Sequence, residues 1–264
     1  MTVKLYLRLW GVVLAITAGF FSINPLITKS YAQNPIAMPV EEVSEEELPA
    51  LGKAPIVVEL FSSQACVFCP KADRLFADLL EQDNVIGLAC HIDYFDVETG
   101  SLSKPFCTQR QTWYMEKLFA GPNYTPQMVI NGALDVVAYK LENVVNALQK
   151  AETSAIEELD VSESDAKGTY KVILPFEDLE VPENYKLWLA LYDKPHELTI
   201  ADGFNRGKKA TYLNIVSELG NTENLGPEVF VTPPFKEQHA GFVVILQNID
   251  SGKIHAVGKH QLES

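Results

Sequence analysis

The chain has 264 residues, of which 47% are hydrophobic, and a formal net charge of −14 at pH 7. This length and composition are typical of a globular protein with one large domain or two smaller ones. No basic cluster interrupts the acidic balance, which excludes nucleic acid and anionic membrane surfaces as expected partners.

The first 32 residues have the pattern of a signal peptide. Lys4 and Arg8 precede an apolar run at 9–21, and residues 30–32 (Ser-Tyr-Ala) offer small side chains where a signal peptidase cuts. An uncleaved membrane anchor is the alternative, but the apolar run ends before Pro25, short of a bilayer span. We predict a periplasmic or secreted protein with no stable membrane insertion after cleavage. Loss of the three basic residues of this segment lowers the formal charge from −14 to −17.

The stretch after this segment leads to a pair of cysteines. Residues 33–54 are rich in Pro and Glu, which is typical of a solvated linker, and the apolar run at 56–61 predicts a buried strand. Apolar side chains then recur at helical spacing after Cys69, so Cys66 lies at a strand-to-helix turn. Unpaired amides and the helix dipole favour a thiolate there. We predict that Cys66 is a nucleophile and that Cys69, with two residues between them, is the resolving thiol.

A second buried strand is predicted at 85–92, where the sequence is almost wholly apolar. Strand, helix and strand in this order favour a parallel pair with a right-handed crossover. Polar side chains follow at the carboxyl end of the strand, where ligands gather in open parallel sheets. His91 and Asp93 are therefore candidate substrate-binding residues near Cys66. Alternatively, His91 is hydrogen-bonded at the strand end and Asp93 caps a loop.

The following segment predicts a helix, a hairpin and another helix. The first helix is expected at about 108–119, and the last at about 141–155. Between them, Thr125-Pro126 leads into an apolar strand, and Asn131-Gly132 is a strong signal for a tight turn into a strand at 133–138. Pro126 at the start of a strand can be accommodated as a cis peptide.

This order of elements resembles the thioredoxin fold over about residues 55–155. In that superfamily a cis-proline before the third core strand packs beside the active disulfide, which implies that Thr125 and Pro126 lie against Cys66. The superfamily also often keeps a buried carboxylate on the strand before the cysteine pair, where it transfers protons to the resolving cysteine. The resemblance gives this role to Glu59, the acid on that strand. Glu59 could instead be an exposed strand residue or a salt-bridge partner.

A narrower resemblance connects the chain with exported bacterial thioredoxin-like proteins known as the domain of unknown function 1223 family. It rests on the segments Glu-Leu-Phe-Ser-Ser-Gln-Ala-Cys-Val-Phe-Cys-Pro, His-Ile-Asp-Tyr-Phe-Asp, Thr-Gln-Arg-Gln and Tyr-Thr-Pro-Gln-Met-Val-Ile-Asn-Gly, and it extends to residues 203–207. The family pattern has an acidic residue where Phe204 stands, which argues against a polar role for that loop here. The resemblance implies a fold and names no substrate.

The second half, residues 156–264, is predicted to be an all-β domain. Short alternating or apolar runs lie at 170–174, 186–191, 198–200, 211–216, 241–247 and 253–257. Turn residues separate them, which is typical of an antiparallel, sandwich-like domain packed against the first. Its four histidines (His196, His239, His255 and His260) have no acid or cysteine at a fixed spacing and are expected at the surface.

Three functions fit these residues. The leading one is an exported thiol-disulfide oxidoreductase that needs no bound cofactor and acts on protein or small-molecule thiols and disulfides. Its candidate catalytic residues are Cys66, Cys69, Glu59 and Pro126, and its candidate substrate-binding residues are Thr125, His91 and Asp93. The second is a module in which Cys66, Cys69 and His91 hold copper or zinc. The third is a binding domain in which the cysteine pair is a structural bridge.

Cys90 and Cys107 are the two remaining thiols. Free thiols are uncommon in an oxidising compartment, so an even total of four cysteines favours a second disulfide between them. Alternatively, Cys90 is a small buried hydrophobe and Cys107 is an unpaired loop thiol.

Overall fold

The computed structural model describes residues 48–95, 102–176 and 182–263. The predicted signal peptide at 1–32 and the predicted linker as far as residue 47 lie outside these residues. The described residues all belong to one compact unit. Within these three ranges, no helix is long and apolar enough to cross a membrane.

The first half forms a four-stranded mixed sheet. Its strands are β1 (Ile56–Ser62), β2 (Val85–His91), β3 (Gln127–Ile130) and β4 (Leu134–Val137), in the order β2-β1-β3-β4. As predicted, β1 and β2 are parallel, whereas β3 is antiparallel to both β1 and β4. The predicted tight turn between β3 and β4 is present, with positive φ angles at Asn131 and Gly132.

Three helices accompany this sheet. They are α1 (Cys69–Leu80), α2 (Pro105–Leu118) and α3 (Leu141–Glu152). Helix α1 has Pro70 in its first turn, where a missing amide costs no hydrogen bond. Helix α2 begins three residues before the predicted start because Pro105 occupies its first turn, and it ends where Phe119 adopts a left-handed conformation with φ of 51°. Helix α3 ends three residues before the predicted end.

The second half is built from three further sheets. A five-stranded sheet has the order β11-β8-β13-β14-β5, a three-stranded sheet has the order β12-β7-β6, and β9 pairs with β10. The strands are β5 (Glu157–Glu158), β6 (Asp160–Glu163), β7 (Tyr170–Ile173), β8 (Tyr185–Asp193), β9 (His196–Thr199), β10 (Lys209–Tyr212), β11 (Val216–Thr222), β12 (Glu228–Val231), β13 (His239–Asn248) and β14 (Ile254–Gln261). The pairs are antiparallel except β14 with β5.

The strand predicted at 211–216 is wrong. The structure divides it into β10 and β11, because Asn214 adopts a positive φ of 48° between them. The surface position predicted for His239 is also wrong. This side chain is buried, and its Nδ1 accepts a hydrogen bond from the Lys236 N–H at 2.9 Å.

Side-chain alternation on the central strands places three apolar layers. The helix-side core lies between the first sheet and the helices α1 and α3, and it includes Val58, Leu60, Ala72, Phe76 and Leu148. The middle core lies between the other face of that sheet, α2 and the five-stranded sheet, and it includes Val57, Phe61, Tyr114, Val243 and Ile245. The sandwich core lies between the five-stranded and three-stranded sheets, and it includes Val172, Leu187, Phe242, Val244 and Leu246.

The middle core contains residues from both predicted domains. Odd-numbered residues of β1, such as Val57, meet odd-numbered residues of β13, such as Val243. Fully burying a side chain of this kind contributes roughly 1.5–3 kcal/mol. The second half therefore covers the sheet face opposite α1, and the predicted division at residue 155 stays a prediction.

A short segment of the second half also closes the outer edge of β2. The Ala89 N–H donates to the Asn214 carbonyl at 2.9 Å, and Ala89 forms a parallel bridge with Ile215. On the other side of the segment, the Asp193 N–H donates to the Ile215 carbonyl at 2.9 Å. Residues 214 and 215 thus lie between β2 and β8 and satisfy backbone groups of both.

The predicted second disulfide is present. Cys90 and Cys107 are bonded, with a Cα–Cα distance of 5.3 Å. Both residues are buried in the middle core. The bridge ties the end of β2 to the first turn of α2.

Candidate functional site

The candidate site is the turn between β1 and α1 that carries the other two cysteines. Cys66 is 7% exposed and Cys69 is fully buried, and both thiols are free. The Cys66 N–H donates to the Ser63 carbonyl at 3.2 Å, and the Cys69 N–H donates to the Cys66 carbonyl at 3.4 Å. These bonds wind the chain from the strand directly into the helix, as the spacing of the two cysteines predicted.

Cys66 is in an environment that favours its thiolate. A hydrogen bond from the Cys69 side chain is the largest cause that lowers the pKa of Cys66, to about 6. The Thr125 side chain and the main-chain amides of Phe68 and Cys69 lower it further, and burial opposes them. The turn therefore favours the thiolate of Cys66, which is the nucleophilic form of a cysteine.

Cys69 is held in the opposite protonation state. Burial is the main cause that raises the pKa of Cys69 far above its ordinary value, and the hydrogen bond to Cys66 and the charge of Cys66 raise it further. The Ser62 side chain lowers it through a hydrogen bond. Cys69 therefore stays a thiol at neutral pH, and it must lose its proton before it can attack a disulfide.

Asp73 is the carboxylate next to this thiol. It lies four residues after Cys69 in α1, a spacing that places two side chains on the same face of a helix. The Ser62 hydroxyl donates to Asp73 Oδ1 at 2.7 Å. Burial raises the pKa of Asp73 to about 7, against the lowering effect of the Ser62 hydrogen bond. Sequence reasoning missed Asp73, although the spacing of four residues was a usable signal.

The residues before β3 are the other part of the predicted site. Thr125 contributes to the lowered pKa of Cys66, and a cis peptide bond joins Thr125 to Pro126. The hydroxyl of Tyr94 donates to Gln111 Oε1 at 3.1 Å. Burial raises the pKa of Tyr94 to about 12, and the charges of Cys69 and Cys66 add to this increase. Thr125 and Tyr94 thus lie within electrostatic reach of the two cysteines.

Glu59 lies on the other face of the sheet. Its carboxylate forms a buried ion pair with Arg110 of α2, in which Arg110 Nη2 is 2.8 Å from Glu59 Oε1. The Tyr114 hydroxyl also donates to Glu59. Ser62, three residues later on β1, faces α1 instead. Glu59 is therefore a salt-bridge partner, as the alternative prediction stated. Asp73, and not Glu59, is the carboxylate near Cys69.

The two other candidate substrate-binding residues have structural contacts. His91 is buried, its ring is 5.0 Å from the ring of Tyr212, and burial lowers the pKa of His91 to about 3. No hydrogen-bond partner is found for either ring nitrogen of His91 among the described residues. Asp93 accepts a hydrogen bond from the Thr108 hydroxyl, and its N–H donates to Thr108 Oγ1 at 3.1 Å. Asp93 thus ties the end of β2 to α2, as the loop-capping alternative predicted.

The predicted copper or zinc ligand set is not assembled. In the three described ranges, no group of three or more His, Cys, Asp or Glu side chains is placed to hold a metal ion. His91 therefore does not join Cys66 and Cys69 in a common coordination site.

A loop of the second half forms hydrogen bonds with the turn between β1 and α1 (residues 63–69), which we call the cysteine turn. This loop is the single helical turn Gly203–Asn205. The Asn205 side-chain amide is buried and donates to the Cys66 carbonyl at 2.7 Å and to the Gln64 carbonyl at 3.0 Å. Gly203 has a φ of 75°, and a Cβ atom there would lie 2.5 Å from Ala65 Cα. Only glycine fits this approach, so Gly203 and the Asn205 side chain hold the turn in its shape.

The sequence comparisons decide the family. A family model described as protein of unknown function (DUF1223) matches residues 57–247. This chain belongs to the DUF1223 family. The match includes both cysteines of the site, Asp73 and the Gly203–Asn205 turn, so the family unit spans both halves. No curated protein matches this DUF1223 chain.

Two solved structures are similar to this DUF1223 protein. A crystal structure of a protein from Agrobacterium tumefaciens, from a structural genomics consortium, is 23% identical, covers 81% of this chain and 100% of that chain, and has a TM-score of 0.62. HBP35 of Porphyromonas gingivalis is 13% identical, covers 81% of this chain and 77% of that chain, and has a TM-score of 0.54. At these identities the likeness shows a shared fold alone.

Proposed function

We propose that this DUF1223 protein is an exported thiol-disulfide oxidoreductase. The observation that carries the proposal is the opposed pair of thiols in one buried turn, in which Cys66 has its pKa lowered to about 6 and Cys69 has its pKa raised. A thiolate attacks disulfides, and a neighbouring thiol that stays protonated does not compete with it but can attack in the second step. The pattern of residues 1–32 supports export to the periplasm or the cell exterior.

The proposal includes a thioredoxin-like architecture for residues 55–155. Three features support it: the parallel pair of β1 and β2 joined by α1, the antiparallel hairpin of β3 and β4, and the cis peptide before Pro126 beside the cysteine turn. The cysteine pair at the start of α1 has the same place in that architecture.

The reaction proceeds through a mixed disulfide. The Cys66 thiolate attacks one sulfur of a substrate disulfide, the substrate S–S bond breaks, and the first substrate thiolate leaves. Cys69 then attacks Cys66 Sγ, the mixed disulfide breaks, and the second substrate thiolate leaves. The substrate gains two electrons, and Cys66 and Cys69 become a disulfide. Run in reverse, the same steps oxidise a substrate dithiol.

Asp73 accepts the proton that Cys69 must lose. Ser62 donates to Asp73 and also reaches Cys69, so the hydroxyl connects the thiol with the carboxylate. A base with a pKa of about 7 is half ionised near neutral pH, which suits proton transfer in both directions. Asp73 and Ser62 therefore take the place that the sequence resemblance gave to Glu59.

Cysteine substitutions test the proposal. Cys66→Ser should abolish reduction of a model disulfide, and Cys69→Ser should accumulate a mixed disulfide at Cys66 that mass spectrometry detects. Ser154→Ala, at an exposed position after α3, is the control and should keep turnover. The proposal fails if both cysteine variants keep wild-type turnover. It also fails if the reduction potential of the pair lies below about −300 mV, which is the range of ordinary structural disulfides.

A further inference from the structure

Exposed apolar side chains are concentrated around Cys66. Eight large apolar side chains are exposed among the described residues, and five of them lie in the cysteine turn itself or on two further segments, after β2 and in the Gly203–Asn205 turn. We call these five the apolar rim: Val67, Phe68, Tyr94, Phe95 and Phe204. Phe204 is the most exposed of them, at 79%. Such a cluster is unusual at a protein surface in contact with water alone, and it marks an interaction surface.

The rim residues are held in place by contacts with the site. The Phe204 N–H donates to the Ala65 carbonyl at 3.4 Å, next to the bonds that Asn205 makes to the cysteine turn. The Phe68 ring stacks on Tyr139, with ring centroids 4.7 Å apart. A surface that is ordered before binding loses less entropy when a partner covers it.

Tyr94 and Phe95 form another part of the rim, just after β2. The Ile92 N–H donates to the Ser62 carbonyl at 3.0 Å, which joins this segment to the chain just before the cysteine turn, and the Phe95 ring is 5.0 Å from the Tyr94 ring. Burial and the charges of Cys69 and Cys66 raise the pKa of Tyr94. The three segments are therefore tied to the cysteine turn. A polypeptide that brings a sulfur atom to Cys66 can contact their exposed side chains.

The uncharged side chains of the rim favour one class of binding partner. None of its five side chains carries a charge, although the chain as a whole has a net charge of −14. Cys66 itself is only 7% exposed, so an incoming disulfide needs neighbouring groups that rest on the rim while the sulfur reaches inward. Small charged disulfides such as oxidised glutathione offer no apolar groups for this purpose. An extended polypeptide with apolar side chains next to its cysteine does.

We propose that the apolar rim is the docking surface for a polypeptide substrate whose disulfide is flanked by apolar or aromatic residues. The inference rests on the proposed oxidoreductase function and narrows its substrates from thiols and disulfides in general to this class. Phe204, which comes from the second half of the chain, is a specificity determinant for the thiol chemistry of the first half.

The test separates docking from turnover. Two peptides are compared, one with Phe and Leu beside its cysteine and one with Ser at both positions. Each is made as a disulfide for turnover and with Ser in place of Cys for binding. The apolar peptide should bind about tenfold more tightly and show an about tenfold higher kcat/KM, because partial burial of one aromatic side chain corresponds to such a factor. Oxidised glutathione should react no faster than the Ser-flanked peptide.

Two variants assign the effect to the rim. Phe204→Ser should remove most of the difference between the peptides while the pKa of Cys66 stays unchanged, because the main-chain bond from residue 204 to Ala65 remains. Phe230→Ser is the matched control, since Phe230 is 59% exposed on β12 and belongs to a different sheet. It should change nothing.

The outcomes are distinguishable. Equal binding of both peptides, or an equal loss for both in Phe204→Ser, overturns the docking proposal whether or not disulfides are reduced. A dimer that Phe204→Ser dissociates also overturns it, because a second copy would then be the occupant. Selective binding that depends on Phe204 without any turnover upholds the docking surface and refutes the oxidoreductase function instead.

Discussion

Replacement of Asp73 with Asn should make the reduced protein more stable and less active. In the folded protein the pKa of Asp73 is raised from its ordinary value of 3.8 to about 7. A raised carboxyl pKa means that the ionised form is disfavoured by folding, so the destabilisation is absent below pH 3.8, grows up to about pH 7, and is constant above it. Asn cannot ionise, and its carbonyl can still accept the hydrogen bond from Ser62. The substitution therefore removes this cost at high pH only.

The magnitude follows from the shift. About three pKa units correspond to at most about 4 kcal/mol. Asp73 is half-buried, so water reduces this value, and we expect a gain of about 1–2 kcal/mol at pH 8. Part of the shift comes from the charge of Cys66, and Arg74 opposes it. Tyr212 also faces Asp73. The gain should thus be smaller in the oxidised protein, in which Cys66 carries no charge.

The assay has a stability arm and a kinetic arm. Urea unfolding of reduced protein at pH 5 and pH 8 should show a larger gain at pH 8, by about 1 kcal/mol. Resolution of the mixed disulfide should be slowed by about 100-fold, since a positioned base contributes at least this much. In the wild type the resolution rate should rise with pH through about 7, where Asp73 ionises, and the variant should lack this inflection.

Asp78→Asn is the matched control for these measurements. Asp78 is an exposed residue of the same helix, so its replacement should leave stability and resolution unchanged. The reasoning is refuted if Asp73→Asn changes stability equally at pH 5 and pH 8. It is refuted as well if the variant keeps the wild-type rate of resolution and its pH inflection.

Three further predictions concern contacts that do not involve Asp73. Replacing Cys90 and Cys107 together with Ala should lower the free energy of unfolding by about 3 kcal/mol, as expected for a loop of this length, and an unchanged urea midpoint would contradict this. Glu59→Gln should cost about 3–5 kcal/mol because it leaves the Arg110 charge buried without its partner, and adding Arg110→Met should recover most of the loss in the same urea assay. Asn205→Ala should raise the pKa of the Cys66 thiol, because loss of the bond to the Cys66 carbonyl loosens the turn, and the pH dependence of alkylation would show a midpoint shifted upward. An unshifted midpoint would mean that the turn keeps its shape without Asn205.

The periodicity of apolar residues was sufficient to predict a strand or helix where one apolar pattern ran along the whole element. The bounds of β1, β2 and the start of α1 follow from such patterns to within one residue. Short polar strands gave no such signal, because they pair at sheet edges. The strand β6, for example, consists of Asp160–Glu163 and was not predicted. Asn214 broke a predicted strand because its left-handed conformation is set by the bridge to β2, a contact that no local pattern reveals.

The residues of the candidate site also differ in whether local sequence could predict them. Cys66, Cys69 and Thr125 were predicted from local motifs and a resemblance, and the structure brings them together. Asn205 could not be assigned a role, since its bonds to the cysteine turn span 139 residues of sequence or more. Glu59 shows the limit of strand position as a guide, because one residue along a strand changes which face its side chain meets.

The segment at residues 214 and 215 bears on how this family is handled in the laboratory. It covers the backbone groups at the outer edge of β2. A chain cut after residue 155 would expose that edge together with the apolar face that the five-stranded sheet covers. Uncovered strand edges recruit other copies and aggregate. A shortened DUF1223 protein should therefore precipitate, and loss of activity in such a fragment would reflect insolubility rather than missing chemistry.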